Sequence, residues 1–188
     1  MSPHEHRALV LIGPPGAGCS SVGRVLGRAA GLPVLDLARS VAEELGTSPD
    51  LALVTVPEGD YRRIEADTAL RLLERARVEG AIVALGSGCL GDPRIRQRLA
   101  DLRLGNGRVH RVVALTCTTR VLATRNGLDA PRSVALGAVH HQFVQMLHER
   151  WTRCRELADV VIDTTSTTPD EAGEQIIEAV RSGSSRNS

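Results

Sequence analysis

A chain of 188 residues with 42% hydrophobic side chains has room for one domain around one core, and 23 basic against 22 acidic residues leave a formal net charge of +1. That near balance offers no broad cationic field to nucleic acid or to an anionic membrane, so a small-molecule substrate is the expected partner. All 23 basic residues are arginine, and the chain has no lysine.

In chain order, MSPHEHR runs straight into the apolar stretch Ala8–Ile12, too short for a signal-peptide core, and no apolar run approaches membrane-spanning length. Cys19, Cys89, Cys117 and Cys154 lie far apart without a CxxC pair, which suggests neither a zinc site nor a disulfide framework. A cytoplasmic monomer is expected.

Five short runs rich in Val, Ile and Leu read as strands: Ala8–Ile12, Pro33–Asp36, Ala81–Leu85, Arg111–Leu115 and Val160–Asp163. Amphipathic stretches separate them, the pattern of βαβ units on a buried parallel sheet with right-handed crossovers. Asp60–Glu79 reads as a long helix and Val139–Glu156 as another. Between them, Arg125–Ala138 carries Gly and Pro without a sustained period, as a mobile loop would. One domain over residues 1–180 is expected, followed by a disordered tail, Arg181–Ser188 (RSGSSRNS).

The strongest local signal is GPPGAGCSS, Gly13–Ser21, set between the first strand and a helix. It fits the phosphate-binding pattern GxxxxGK[ST] except at the lysine, where Cys19 stands. Gly13, Gly16, Ala17 and Gly18 would let the backbone curl so that N–H groups face a phosphate, with Ser20 and Ser21 opening the helix. Ser20 falls where a hydroxyl ligates Mg²⁺. The lysine ammonium is a point charge on the β- and γ-phosphates, worth ~4 kcal/mol at ~4 Å and an effective dielectric of ~20. Cysteine cannot supply it, and a helix N-terminus favours lowering the thiol pKa, so that a thiolate would repel phosphate. Arg132 in the loop or Arg125 on its flank could reach in as a substitute.

With the rest of the chain added, the arrangement resembles the shikimate kinases, which phosphorylate the 3-hydroxyl of shikimate with MgATP. The resemblance runs from about Ala8 to Val180 and implies a P-loop NTPase fold: an α/β, five-stranded parallel sheet flanked by helices, with a lid loop. In GLPVLDLARSVAEELG, Asp36 matches the family's first aspartate, which supports Mg²⁺, while Ala38 occupies the place of the second, which grips shikimate hydroxyls. EGDYRRIE is similar to the family's ExxFRxxE, with Arg62 on the carboxylate-binding arginine. ALGSGCL resembles the third-strand glycine triplet, with Gly86 and Gly88 kept and Ser87 between them. Arg125 falls on the arginine that stacks against adenine and Arg132 on the lid arginine, although PRSVALG differs from the family's RPLL. HERWTRCRELADVVIDTT places Arg150 on the second carboxylate-binding arginine, and Pro169 matches the adenine loop.

The resemblance therefore implies ATP and Mg²⁺ as cofactors and a small anionic substrate such as shikimate. Tyr61 and Trp151 read as core residues beside the long helix, and His140, His141 and His148 as a solvated face. Two losses flank the transferred group, the ammonium at Cys19 and the carboxylate at Ala38. Three readings stay open: a shikimate kinase that tolerates both, a kinase for another small hydroxy acid, and a non-catalytic binding or regulatory protein that uses the same cleft. In a variant of the last, Cys19 is a redox-sensitive gate.

Overall fold

A computed structural model describes residues 8–103, 111–127 and 134–184, with backbone alone at 134–140 and 183–184. The strands are β1 (Ala8–Ile12), β2 (Val34–Asp36), β3 (Ala81–Ala84), β4 (Arg111–Thr116) and β5 (Val160–Asp163). They form one all-parallel sheet in the order β2-β3-β1-β4-β5. The helices are α1 (Cys19–Ala30), α2 (Leu37–Glu44), α3 (Ala52–Thr55), α4 (Glu58–Glu79), α5 (Pro93–Arg103), α6 (Thr119–Arg125), α7 (Val134–Leu157) and α8 (Pro169–Ser184), with a 3-10 turn at Gly88–Gly91.

Alternation along the strands divides the core between the two faces of the sheet. Val10 and Ile12 of β1 and Val112 and Ala114 of β4 join Leu73, Leu90, Ile95 and Leu99 on one face. Leu11, Val113 and Leu115 join Val22, Leu26 and Ile176 on the other. Both faces of β1 and β4 are covered, which is why these strands read as continuous apolar runs rather than alternating ones.

Element bounds coincide with the sequence reading at most ends, differ by one or two residues at several others, and differ by more at the start of α7. That helix begins at Val134, so residues 134–138, expected as loop, are helical. Gly137 suggests a break, but one glycine costs a helix only about 1 kcal/mol relative to Ala, and α7 carries it. Residues 128–133 of the expected loop, Arg132 among them, lie outside the described residues. At the other end, α8 continues to Ser184, four residues into the stretch expected as tail, because its apolar face reaches Ile176, Ile177 and Val180 on the core. Residues 185–188 lie outside the description.

The register brings Leu11, Ala84 and Asp36 into line across β1, β3 and β2 at the carboxyl edge of the sheet. The connections leaving that edge enclose a crevice where the strand order turns back, the usual ligand site of an open parallel sheet. Among the described residues, no helix is long and apolar enough to cross a membrane.

Candidate active site

β1 ends at Ile12 and α1 begins at Cys19, leaving a six-residue loop in which Gly16 and Gly18 adopt φ of 83° and 101°. The Ala17 N–H donates to Pro14 O at 3.0 Å. Those of Gly16, Gly18, Ser20 and Ser21 find no acceptor among the described residues. Such orphan donors at the start of a twelve-residue helix suit an anion. The loop carbonyls, by contrast, are held from outside. Arg125 at the end of α6 donates to Gly16 O and Thr164 O, both at 3.0 Å. Asn126 Nδ2 donates to Pro15 O at 3.1 Å, and Thr164 Oγ1 donates to Ala17 O at 2.8 Å. Position 16 must be glycine, because a Cβ there would come within 2.8 Å of Asn126 Nδ2 on a left-handed backbone.

Cys19 lies where the loop meets the apolar core. Its sulfur sits 3.3 Å from where a Cβ on Gly13 would be, and the residue packs on the cluster built around Val22, Leu26 and Leu115. Burial, with a smaller contribution from the nearby Cys154, pushes the thiol pKa up to about 12. This corrects the expectation that the helix N-terminus lowers it: desolvation outweighs the helix dipole and favours the neutral thiol.

Cys154 is likewise pushed up to about 12 by burial. A thiol whose folded pKa lies above its ordinary value contributes stability in full below about pH 9 and loses it as pH rises toward 12. Thermal melts should therefore fall by at least ~5 °C between pH 9 and pH 11, and Cys19→Ala should flatten part of that fall.

On the far side of the crevice lies a cleft of about 560 Å³ lined by Arg62, Glu65, Gly88, Arg150 and Arg153 among others. The ExxFRxxE-like segment forms the first turns of α4, so Arg62 and Glu65, three residues apart, share a face. Arg62 donates to Glu65 Oε2 at 3.0 Å and to Glu58 Oε1 at 3.5 Å. Burial works against its charge, but these carboxylates outweigh it and hold the pKa above the ordinary value. Arg150 on α7 has no ion pair among the described residues; burial, then repulsion from Arg62, lowers its pKa. An anion placed between the two guanidiniums would relieve both effects.

Gly88 stands so close to Glu65 that a Cβ would collide with its carboxylate. Gly88→Ala should therefore displace Glu65, lower the melting temperature and weaken any acid held by Arg62 about tenfold, as titration calorimetry would show. Ser87 is 3% exposed, and its hydroxyl has no partner among the described residues. Gly86 instead meets the end of β1, its N–H 3.3 Å from Leu11 O.

A second pocket, of about 240 Å³, opens beside the loop between Arg125, Thr164, Pro169 and the start of α1. Thr167 lines it, and its buried hydroxyl lacks a partner among the described residues, so the pocket offers a polar handle to a ligand. Arg125 and Pro169 share this pocket, although both Arg125 terminal nitrogens are engaged by the carbonyls of Gly16 and Thr164. For a cation, the described residues hold no group of three or more His, Cys, Asp or Glu able to bind one. Ser20, whose hydroxyl has no hydrogen bond among the described residues, and Asp36, which caps α2 at Arg39 N from 3.5 Å, are the oxygen donors expected there. Two such donors fit Mg²⁺, which keeps several waters and borrows phosphate oxygens.

Tyr61 and Trp151 pack partly buried against the core, and His141 and His148 are exposed. The sequence reading gave no role to Glu65, Asn126, Thr164 or Arg153. Glu65 closes the EGDYRRIE segment, and a glutamate one turn after an arginine on a predicted helix is a readable signal. Asn126 and Thr164 act on the loop from positions more than 100 residues away, which no local pattern reports.

A sequence model of the family described as shikimate kinase matches residues 15–181. The shikimate kinase of Thermobifida fusca (strain YX) is 32% identical over 167 residues, covering 89% of this chain and 91% of the relative. That of Methylococcus capsulatus is 29% identical over 183 residues, with 97% of each chain covered. Among solved structures, shikimate kinase from Acinetobacter baumannii in complex with shikimate superposes with a TM-score of 0.77 at 21% identity, over 94% of this chain and 93% of the other. A gluconokinase from Sinorhizobium meliloti 1021 superposes with a TM-score of 0.61 at 18% identity, over 99% and 100%. Sequence and architecture agree: the chain belongs to the shikimate kinase family.

Proposed function

We propose that the chain still binds a nucleoside triphosphate at Gly13–Ser21 and a small hydroxy acid between Arg62 and Arg150, while transfer between them is strongly weakened. Shikimate kinases use ATP and Mg²⁺, and transfer of the ATP γ-phosphate to the 3-hydroxyl of shikimate is the inherited reaction. The observation that carries this reading is Cys19. Where the motif calls for an ammonium on the phosphates, a neutral thiol is packed on the apolar core, yet the orphan N–H groups and carbonyl clamps of the loop are intact.

In this account the loop amides hold the phosphates, Ser20 and Asp36 would hold Mg²⁺, and Arg125 and Pro169 border the base. When bound, that ion neutralises charge on the phosphate oxygens. Arg62 and Arg150 fix the acid, with Glu65 keeping Arg62 in place. Arg132 in the lid is proposed to reach the transferring phosphate. Transfer of this kind depends on positioning and electrostatics, so the missing ammonium at Cys19 and carboxylate at Ala38 bear directly on rate. The setting proposed is a cytoplasmic monomer.

The same observation favours a second reading, a binding or regulatory protein with no turnover. Calorimetric titration with a non-hydrolysable ATP analogue and with shikimate tests the shared part. Binding of both, with shikimate lost in Arg150→Met, is expected. Failure of both ligands to bind would remove the reading, and turnover measured on the same preparations separates its two forms.

A further inference from the structure

The guanidiniums around the acid cleft are unequally committed. Arg62 is paired with Glu65 and Glu58, Arg63 with Asp60 at 3.4 Å, and Arg94 with Asp92 at 2.8 Å and Asp67 at 3.0 Å. Arg150 and Arg153 line the same cleft and make no ion pair or hydrogen bond with any described residue. They are three residues apart on α7, neighbours on one face of the helix. Neither is fully exposed, and Arg153 adds to the repulsion that Arg150 already feels from Arg62. Among the described residues Glu149 is the one lining carboxylate without an ion pair; it is exposed, and as the residue next to Arg150 it projects about 100° around the helix from it.

A single carboxylate bridging Arg62 and Arg150 leaves Arg153 unanswered. Two half-buried like charges on one helix face are unfavourable until anions arrive, so the unliganded cleft has an excess of positive charge directed at its ligand. We propose that the acid bound here carries two anionic groups, the first held between Arg62 and Arg150 and the second by Arg153. This rests on the reading of the cleft as an acid site and narrows its substrate class to a dianionic hydroxy acid. The cleft is large enough for a six- or seven-carbon acid of this kind.

D-gluconate and D-glucarate share a carbon chain and differ in one terminal carboxylate, so their affinities isolate the second charge. Calorimetry at fixed ionic strength on the full chain, with shikimate as a further monoanion, should show D-glucarate binding roughly tenfold more tightly than D-gluconate. Arg153→Leu and Arg153→Gln, each checked for folding by circular dichroism, should close that gap; the ratio rather than either affinity is the readout. Arg150→Met should weaken all three acids. Equal affinities in the wild type, binding of shikimate without D-glucarate, or a gap that survives both Arg153 variants would overturn the dianion proposal and leave the acid site standing. If none of the three acids binds the wild type, the acid-site reading falls and this inference with it.

Discussion

Cys19→Lys should raise the rate of phosphate transfer by about 10³, because one ammonium near ~4 Å from a phosphate oxygen is worth ~4 kcal/mol at an effective dielectric of ~20. The thiol occupies an apolar niche beside Gly13. A lysine cannot leave its charge there, so its chain must turn out toward the orphan N–H groups at the start of α1. Vacating the niche costs on the order of 1 kcal/mol in stability, which a melt would register. The nucleotide dissociation constant should fall at the same time, since the ammonium acts on ground-state phosphates as well as in transfer. Single-turnover kinetics with saturating ATP separate the two effects. An unchanged rate would mean that another cation, Arg132 being the candidate, already serves the phosphates.

Glu65→Gln is the second large effect. The carboxylate is only 10% exposed and accepts from an Arg62 side chain that is 36% exposed. Removing one partner of a buried pair is strongly destabilising, and discounting for the exposure of Arg62 leaves about 2 kcal/mol. Without that carboxylate, Arg62 and Arg150 face each other with less to offset them. The glutamine carbonyl can still accept from Arg62 and hold it in place, unlike a Glu65 displaced by Gly88→Ala, and an acid ligand would then supply the missing negative charge, so the rise in melting temperature on adding shikimate should be larger in Glu65→Gln than in the wild type. A smaller rise would indicate that Glu65 orients Arg62 for the ligand more than it neutralises it.

Much of the fold can be read from local chemistry. The apolar runs of β1, β3 and β4 are legible because these central strands are buried on both faces, and Gly13–Ser21 is legible because curling a backbone around a phosphate demands glycines at fixed offsets. Arg62 and Arg150 become legible only through the resemblance, since an isolated arginine on a helix carries no signal of its own. The Cys19 thiol could not be read: sequence proximity points to the helix N-terminus, whereas its pKa is governed first by burial against a core that includes Val22, Leu26 and Leu115. The start of α7 was obscured by Gly137, whose small helix cost is outweighed by the length of the helix around it. The clamp of Arg125, Asn126 and Thr164 on the loop carbonyls is wholly tertiary.

The most direct test of the central claim is ATP-dependent phosphorylation of shikimate by the wild type, measured beside the Cys19→Lys, Ala38→Asp double variant in the same coupled assay. A loop and an acid cleft that survive while transfer is weakened predict a wild type slower by about 10³ or more, and a double variant that turns over without further change. A wild type within roughly tenfold of the double variant would contradict the account and show that this chain transfers phosphate without the ammonium and the carboxylate.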